Sequence, residues 1–305
     1  MPAERMPFVA SDDRRDEQHD NEHVEALRLH LRAKFDEVAA LYDAVRPGYP
    51  TELYDDIRTL TGVPDGGDIL EIGCGTGQAT LPLAQRGYHI CCVELGAELA
   101  AIARRNLAAY PNVEVRVGAF ETAPLPEAAY DLVVSATAFH WVAPDSYPKL
   151  ACVLCPQGAI ALFWNKHISG AIDGGFFDRI QTLYQQHAPE FSEDWKGLPS
   201  TNELPDESAA LVATGLFGQF TVRRYPWVAH YDAVGYLNQL ATYSDHLALP
   251  SDRRQRLHDG IARMIDDEFD GEIAKQYLAV LYVAHLTPSP LSYEERGNQL
   301  GATGQ

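Results

Sequence analysis

The stretch DILEIGCGTGQAT, residues 68–80, joins a short apolar segment to three glycines at alternate positions, Gly73, Gly75 and Gly77. Ile69, Leu70 and Ile72 predict a buried strand, and a glycine-rich turn directly after a strand predicts close approach of backbone to a ligand. The dinucleotide fingerprint is G-x-G-x-x-G, which G-x-G-x-G misses by one residue at the third glycine. No Gly-Lys-Ser/Thr ending marks a nucleoside-triphosphate loop. One acid, Glu71, precedes the turn, and a second, Glu94, ends the next apolar segment, HICCVEL. An acid at the tip of a second strand can accept hydrogen bonds from ribose hydroxyls. Two acids beside the turn suit a cationic nucleoside that has no phosphate. S-adenosylmethionine, with a ribose, a sulfonium and an ammonium group, meets that description.

Working outward, GQATLPLAQRG predicts a helix closed by Gly87, HICCVEL a strand, GAELAAIARRNLAAY a helix, and VEVRVG and YDLVVSAT two strands. APDSYPKLACVL then predicts a helix, stopped at Pro156 and Gly158, and AIALFWN a strand. Strands alternating with helices at this spacing predict a parallel sheet covered on both faces, with the C-terminal strand ends on one ligand-binding edge. Upstream, residues 1–23 form a polar tail, the segment from His23 to Tyr42 is helical, RPGYP (Arg46–Pro50) breaks it, and Thr51 caps the helix TELYDDIRTLTG. Downstream of Lys166 come helical segments, a polar loop over 192–206, a strand in FGQFTVRRYPWVAHY, two helices within 231–269, and a final strand AKQYLAVLYVAH. A loose tail covers 291–305.

The chain has 305 residues, 46% hydrophobic and 22% charged, enough for a large core. A net charge of −19 and the lack of any Lys/Arg-rich run argue against nucleic acid, whose binding is built on neutralising phosphates. No apolar run suggests a membrane span, and the N-terminal residues lack the apolar region of a secretory signal. Five cysteines make no disulfide framework, so a cytoplasmic setting is expected. Cys152 and Cys155 lack the second ligand pair that structural zinc needs, so no metal is expected; they are read as small apolar residues on a buried helix face.

The sequence resembles the class I S-adenosylmethionine-dependent methyltransferases, in particular the type 11 small-molecule group. The matching pieces are LEIGCGTG, VEL, GAFETAPLPEAAYDLVVSATAFHWV and LCPQGAIALFWN. KFDEVAALYDAVRPGYP and YLNQLATYSDHLAL are similar to segments of the trans-aconitate methyltransferase branch. The resemblance covers about residues 30–285. It implies a doubly wound, Rossmann-like α/β fold, a seven-stranded, mostly parallel sheet with the last strand reversed. It implies one domain over 24–290 with a helical lid from 24–50 and 231–269. Gly73, Gly75 and Gly77 would line the methionine part of the cofactor, with Glu71 nearby; Glu94 would hold the ribose; Phe120 and Glu121 would lie near the adenine. Thr137 and His140 would face the reacting centre, and Arg46 and Tyr49 would close over the cofactor. Relatives often carry Asp where this chain has Ala119, which leaves the adenine amino group to Glu121 or a backbone carbonyl.

Methyl transfer from a sulfonium needs alignment and exclusion of water, and a base only where the acceptor must lose a proton. His140 in FHWV is read either as that base or orienter, or as a histidine that shapes its loop. Trp141 is a pocket wall, and Tyr243 and His246 reach the substrate pocket or belong to a helical core. Arg46 suits the cofactor carboxylate or is a surface residue beside a turn. The expected activity is methyl transfer to a small molecule. A non-catalytic cofactor-binding regulator and a nicotinamide oxidoreductase are the rivals.

Overall fold

The computed structural model describes residues 36, 38–193 and 195–287. The two expected tails and most of the expected N-terminal helix lie outside the described residues. Among the described residues there are seven strands: β1 (Asp68–Ile72), β2 (His89–Glu94), β3 (Val113–Val117), β4 (Tyr130–Ala136), β5 (Leu154–His167), β6 (Thr221–Asp232) and β7 (Glu272–His285). They form one sheet in the order β3-β2-β1-β4-β5-β7-β6. The pairs β2/β3, β1/β2, β1/β4 and β4/β5 are parallel. Strand β7 runs the other way. At its ends Leu286 N–H donates to the Gly158 carbonyl and Ile168 N–H to the Gln276 carbonyl, so residue numbers fall on one side as they rise on the other. The bridge between Phe217 and Leu286 is likewise antiparallel, which leaves β7 as the reversed strand.

The chain divides into two compact units that interleave along the sequence. Among the described residues, the first takes those within 36–46, 166–204 and 226–278, and the second those within 47–165, 205–225 and 279–287. The second unit is built on the parallel strands. Ile69, Leu70, Leu132, Val133, Ile160 and Leu162 are fully buried there, as expected of central strands covered on both faces. The helix Thr51–Thr61 buries Leu53, Tyr54, Ile57 and Thr61, one face at helical spacing, and ends on Gly62 in the left-handed region. The first unit has its own apolar core, in which Phe176, Tyr184, Tyr236, Leu240, Leu257 and Ile261 pack together. The segment 231–269 falls wholly in this unit, and the segment 24–50 divides between the two units after Arg46.

Two local expectations are corrected. Thr51 is the first helical residue and not the cap. Pro50, extended at φ −55° and ψ 142°, holds the cap position and its carbonyl accepts from Leu53 N–H. A proline there supplies a fixed φ in place of a capping hydroxyl. The second correction concerns CPQG. The helix Tyr147–Val153 stops before it, and these four residues belong to β5. Tyr130 pairs with Leu154 but Leu132 with Ala159, so the extra residues of β5 bulge out of register. Cys155 therefore sits on a strand bulge, with its thiol 3.2 Å from the Ala128 carbonyl, and neither Cys152 nor Cys155 is fully buried.

The bulge depends on Gly158. A Cβ there would lie 2.9 Å from Leu154 Cδ2 and 3.0 Å from the Cys155 carbonyl, and the backbone oxygen cannot swing away. Gly158→Ala is expected to destabilise the protein by about 1–3 kcal/mol through overpacking. Urea denaturation of the two proteins at one pH checks this, with an unchanged midpoint as the contrary result.

Candidate cofactor and active site

Parallel pairing puts the C-terminal ends of β1, β2, β3 and β4 on one edge of the second unit. The glycine turn leaves β1 there. Gly73 has φ 71°, and a Cβ on it would stand 2.6 Å from the Ala138 Cβ, in the loop after β4. A side chain at this position would push the β1 and β4 loops apart. The turn is held by its own backbone, Gly77 N–H donating to the Cys74 carbonyl, and by Asn106, whose side-chain amide donates to the Thr76 carbonyl at 3.0 Å.

Glu94 organises the turn from the end of β2. One carboxylate oxygen accepts from Gly75 N–H at 2.8 Å, and the other from Gly96 N–H at 2.9 Å. Glu94 is largely buried, and these charge-assisted bonds offset its desolvation.

Glu71 departs from the expectation of a fixed negative charge beside the turn. It lies on the central strand β1, opposite Cys92 in register, and is 1% exposed. Its Oε2 accepts a long contact of 3.8 Å from the Cys92 thiol, and its Oε1 has no hydrogen-bond partner among the described residues. Burial raises its pKa from 4.5 to about 7, with Thr80 and Cys92 opposing the rise. Both faces of a central strand are covered, so either direction of the side chain leads into the interior.

The loop after β4 carries Thr137, a β-branched residue with φ 51°. That conformation costs roughly 1–3 kcal/mol and needs surrounding contacts to hold it. Thr137 N–H donates to the Phe163 carbonyl at 2.8 Å, and its hydroxyl meets the Tyr49 hydroxyl at 2.7 Å. The Tyr49 ring packs edge-on against Phe163 with centroids 4.8 Å apart. Tyr49 and Thr137 are therefore one constellation, formed across 88 residues of sequence.

His140 lies in the short turn Phe139–Trp141, its ring 5.0 Å from that of the half-buried Trp141. The Trp164 indole N–H, which can only donate, points at His140 Nδ1 at 3.3 Å. Nδ1 is thus an acceptor, and the neutral ring carries its proton on Nε2, an atom shielded from solvent. This geometry favours an orienting or loop-shaping histidine over a base.

Phe120 and Glu121 follow β3. Phe120 is buried, and a Glu121 carboxylate oxygen accepts a 3.4 Å contact from Ala143 N–H. The segment is pinned by Lys149, whose ammonium donates to the carbonyls of Phe120 at 2.7 Å, Ala123 at 2.6 Å and Glu121 at 3.3 Å. Sequence reading missed Lys149, Asn106 and Ser135, the last donating from β4 to the Ile72 carbonyl at 2.8 Å. Each acts on backbone far away in sequence. The only local cue was a charged residue inside the otherwise apolar YPKLACV.

Arg46, Tyr243 and His246 belong to the first unit. The Arg46 guanidinium donates to the Thr242 hydroxyl at 2.9 Å and carbonyl at 2.8 Å, and lies over the rings of Tyr42 and Tyr243. It is not a loose surface residue. His246 is fully buried against Tyr184 and Phe191, with its Nε2 3.1 Å from the Tyr184 hydroxyl. Burial lowers its pKa to about 3 and keeps it neutral. His246 thus packs in the helical core of the first unit. No group of His, Cys, Asp and Glu among the described residues could hold a metal ion, and no helix is long and apolar enough to cross a membrane.

Residues 69–158 match the family model of the methyltransferase domain. A methyltransferase-like protein of Schizosaccharomyces pombe is 28% identical over 229 residues, 73% of this chain and 84% of that protein. A methyltransferase of Mycobacterium tuberculosis is 32% identical over 139 residues, 45% of this chain and 54% of its own length. The chain thus spans about half the length of that second relative. A structure described as a type II methyltransferase from Anaeromyxobacter dehalogenans superposes with a TM-score of 0.54 at 22% identity, covering 80% of this chain and 99% of that one. Residues 69–158 are thus similar to a methyltransferase domain, and the sheet order with its reversed seventh strand matches the Rossmann-like methyltransferase fold.

The raised pKa of Glu71 makes a testable statement about stability. Between pH 4.5 and about 7 the folded protein keeps a proton that the unfolded chain releases, so stability falls as pH rises through that window. A shift of this size corresponds to about 3 kcal/mol. Glu71→Gln is therefore expected to gain on the parent protein from less than about 1 kcal/mol at pH 5 to about 3 kcal/mol at pH 8. Denaturant titrations at the two pH values measure the difference. A difference independent of pH would show Glu71 already ionised in the folded protein.

Proposed function

We propose that the second unit binds S-adenosylmethionine on the loops after β1 to β4 and that the protein transfers its methyl group to a small-molecule acceptor. The observation that carries this reading is the pair of bonds that Gly75 N–H and Gly96 N–H donate to Glu94. They place a carboxylate beside a turn without bulky side chains. The residues fit the cofactor: the turn 73–77 offers backbone free of bulky side chains, and Glu94 lies beside it. The turn reads G-x-G-x-G and not the dinucleotide G-x-G-x-x-G, so the nicotinamide alternative lacks support.

S-adenosylmethionine supplies a methyl group already activated by its sulfonium charge. Glu94 would accept from the ribose hydroxyls, and the glycine turn would offer backbone to the methionine part. Phe120 and Glu121, held by Lys149, would flank the adenine. Thr137 and Tyr49 would shape the reacting edge with Trp141 as a wall, and His140 would orient through Nε2–H. Glu71 would contribute a carboxyl that ionises more readily beside a cation. Arg46 and Tyr243 remain proposed ligand-facing residues on the strength of the resemblance alone, and the helices of 231–269 the proposed lid.

Calorimetry with S-adenosylmethionine tests the reading. Binding to the parent protein is expected, weakened about tenfold or more in Glu94→Gln, which loses a charged acceptor but can still accept from one loop amide. Incubation with isotope-labelled cofactor and a metabolite extract, followed by mass spectrometry, is expected to reveal a labelled methylated product. Absence of cofactor uptake, or unchanged affinity in the variant, would overturn the proposal.

A further inference from the structure

The first unit contains a buried cation that the cofactor site does not use. Lys275 on β7 is 3% exposed. Its ammonium donates to Gln239 Oε1 at 3.1 Å and to the Tyr243 hydroxyl at 3.0 Å. It lies 4.9 Å from the ring centre of Tyr277, 5.4 Å from that of Tyr243 and 5.9 Å from that of Tyr236. No carboxylate among the described residues pairs with it, and its charged neighbour, Arg46, has the same sign. An uncompensated ammonium in such a site is costly.

A second orphan lies within electrostatic reach. His167, at the end of β5, packs its ring against Phe177 and Tyr277. Its Nε2 is shielded from solvent and has no hydrogen-bond partner among the described residues. The nearby positive charge of Lys275 and burial both hold the ring neutral. An ammonium without a counter-ion and an imidazole nitrogen without a partner, both facing tyrosines, together lack one thing, an acceptor group carrying negative charge.

We propose that the Lys275 cluster, with Gln239, Tyr243, Tyr277 and His167, is a binding site for a small carboxylate ligand. A single negative charge matches a single ammonium, and a planar group suits the flat tyrosine rings around it. The carboxylate would take a hydrogen bond from Lys275 and another from His167. Without ligand, burial lowers the Lys275 pKa to about 7, and loss of the proton relieves the unpaired charge. Arg46, Tyr231 and Tyr243 are only partly buried and connect the cluster to solvent. The site lies within the first unit and does not depend on the methyl-transfer reading.

Calorimetric titration at pH 6.5 with acetate, malonate and succinate, and with sodium chloride and inorganic phosphate as controls, tests the proposal. At least one carboxylate is expected to bind with a dissociation constant below about 1 mM. Lys275→Met is expected to weaken it about tenfold or more while keeping or raising the melting temperature, because replacing a buried charge by an apolar residue is commonly neutral or stabilising. Tyr243→Phe, which keeps the charge and removes one hydroxyl, is expected to weaken binding several-fold and serves if the first variant does not fold. Failure of all three carboxylates to bind, equal binding of phosphate, or undiminished carboxylate affinity in a folded variant would overturn the assignment. S-adenosylmethionine affinity, measured on the same samples, reports on the methyl-transfer reading separately.

Discussion

One side chain fixes the geometry on which the proposed cofactor site rests. Glu94 bridges two backbone amides, Gly75 and Gly96, that belong to the loops after different strands. The carboxylate is the sort of group that a fold excludes from its interior unless hydrogen bonds replace water, and here backbone replaces it. The exchange works in both directions. The amides at the turn and before the helix Ala97–Asn106 gain an acceptor, and the acid gains a fixed position. The two amides are neutral dipoles, and the carboxylate they hold brings a negative field to the loop. That field disfavours a pyrophosphate and favours a sulfonium.

Close packing then constrains what else can occupy this edge. Gly73 meets Ala138 with no room for a side chain, so the β1 and β4 loops are set by contact. Directly before Ala138, Thr137 sits in a conformation that β-branched residues avoid, held by Phe163 from β5 and by Tyr49 from the segment before the helix Thr51–Thr61. Such strain persists only where neighbouring structure over-determines it, and it concentrates at functional positions. The same edge thus shows two signs of local cost: a strained residue after β4 and a carboxyl under the turn with an unsatisfied oxygen.

Much of this arrangement was legible in the chain. The alternation of apolar strands with helices carries its own geometry, since parallel crossovers send strand ends to one edge. Glycines and acids at strand ends could therefore be placed together without coordinates. What escaped was of another kind. Glu71 looks like Glu94 in sequence, a strand acid beside glycine, yet one ends its strand and reaches amides while the other stands inside it and is sealed. His246 and Lys275 carry polar side chains on segments whose burial is decided by elements tens of residues away. Arg46 finds Thr242 across 196 residues, and Lys149 finds Phe120 across 29. Such bonds leave no periodicity, and the bulge at CPQG hides because its proline and glycine read as a helix stop.

The state of His140 bears on the chemistry. An indole N–H has no acceptor capacity, so the contact with Trp164 dictates which imidazole nitrogen holds the proton. A histidine locked this way can donate or orient, but to act as a base through Nε2 it must first release its partner. Methyl transfer tolerates that arrangement, because the reacting carbon arrives activated and the enzyme's contribution is alignment and dryness. An acceptor atom that already bears a lone pair free of protons, on a carboxylate or an unprotonated amine, makes no demand on this residue. A hydroxyl or carbon acid does, and would require a proton acceptor other than His140 as it stands. The tautomer set by one tryptophan thus limits what His140 itself can do, whatever the acceptor.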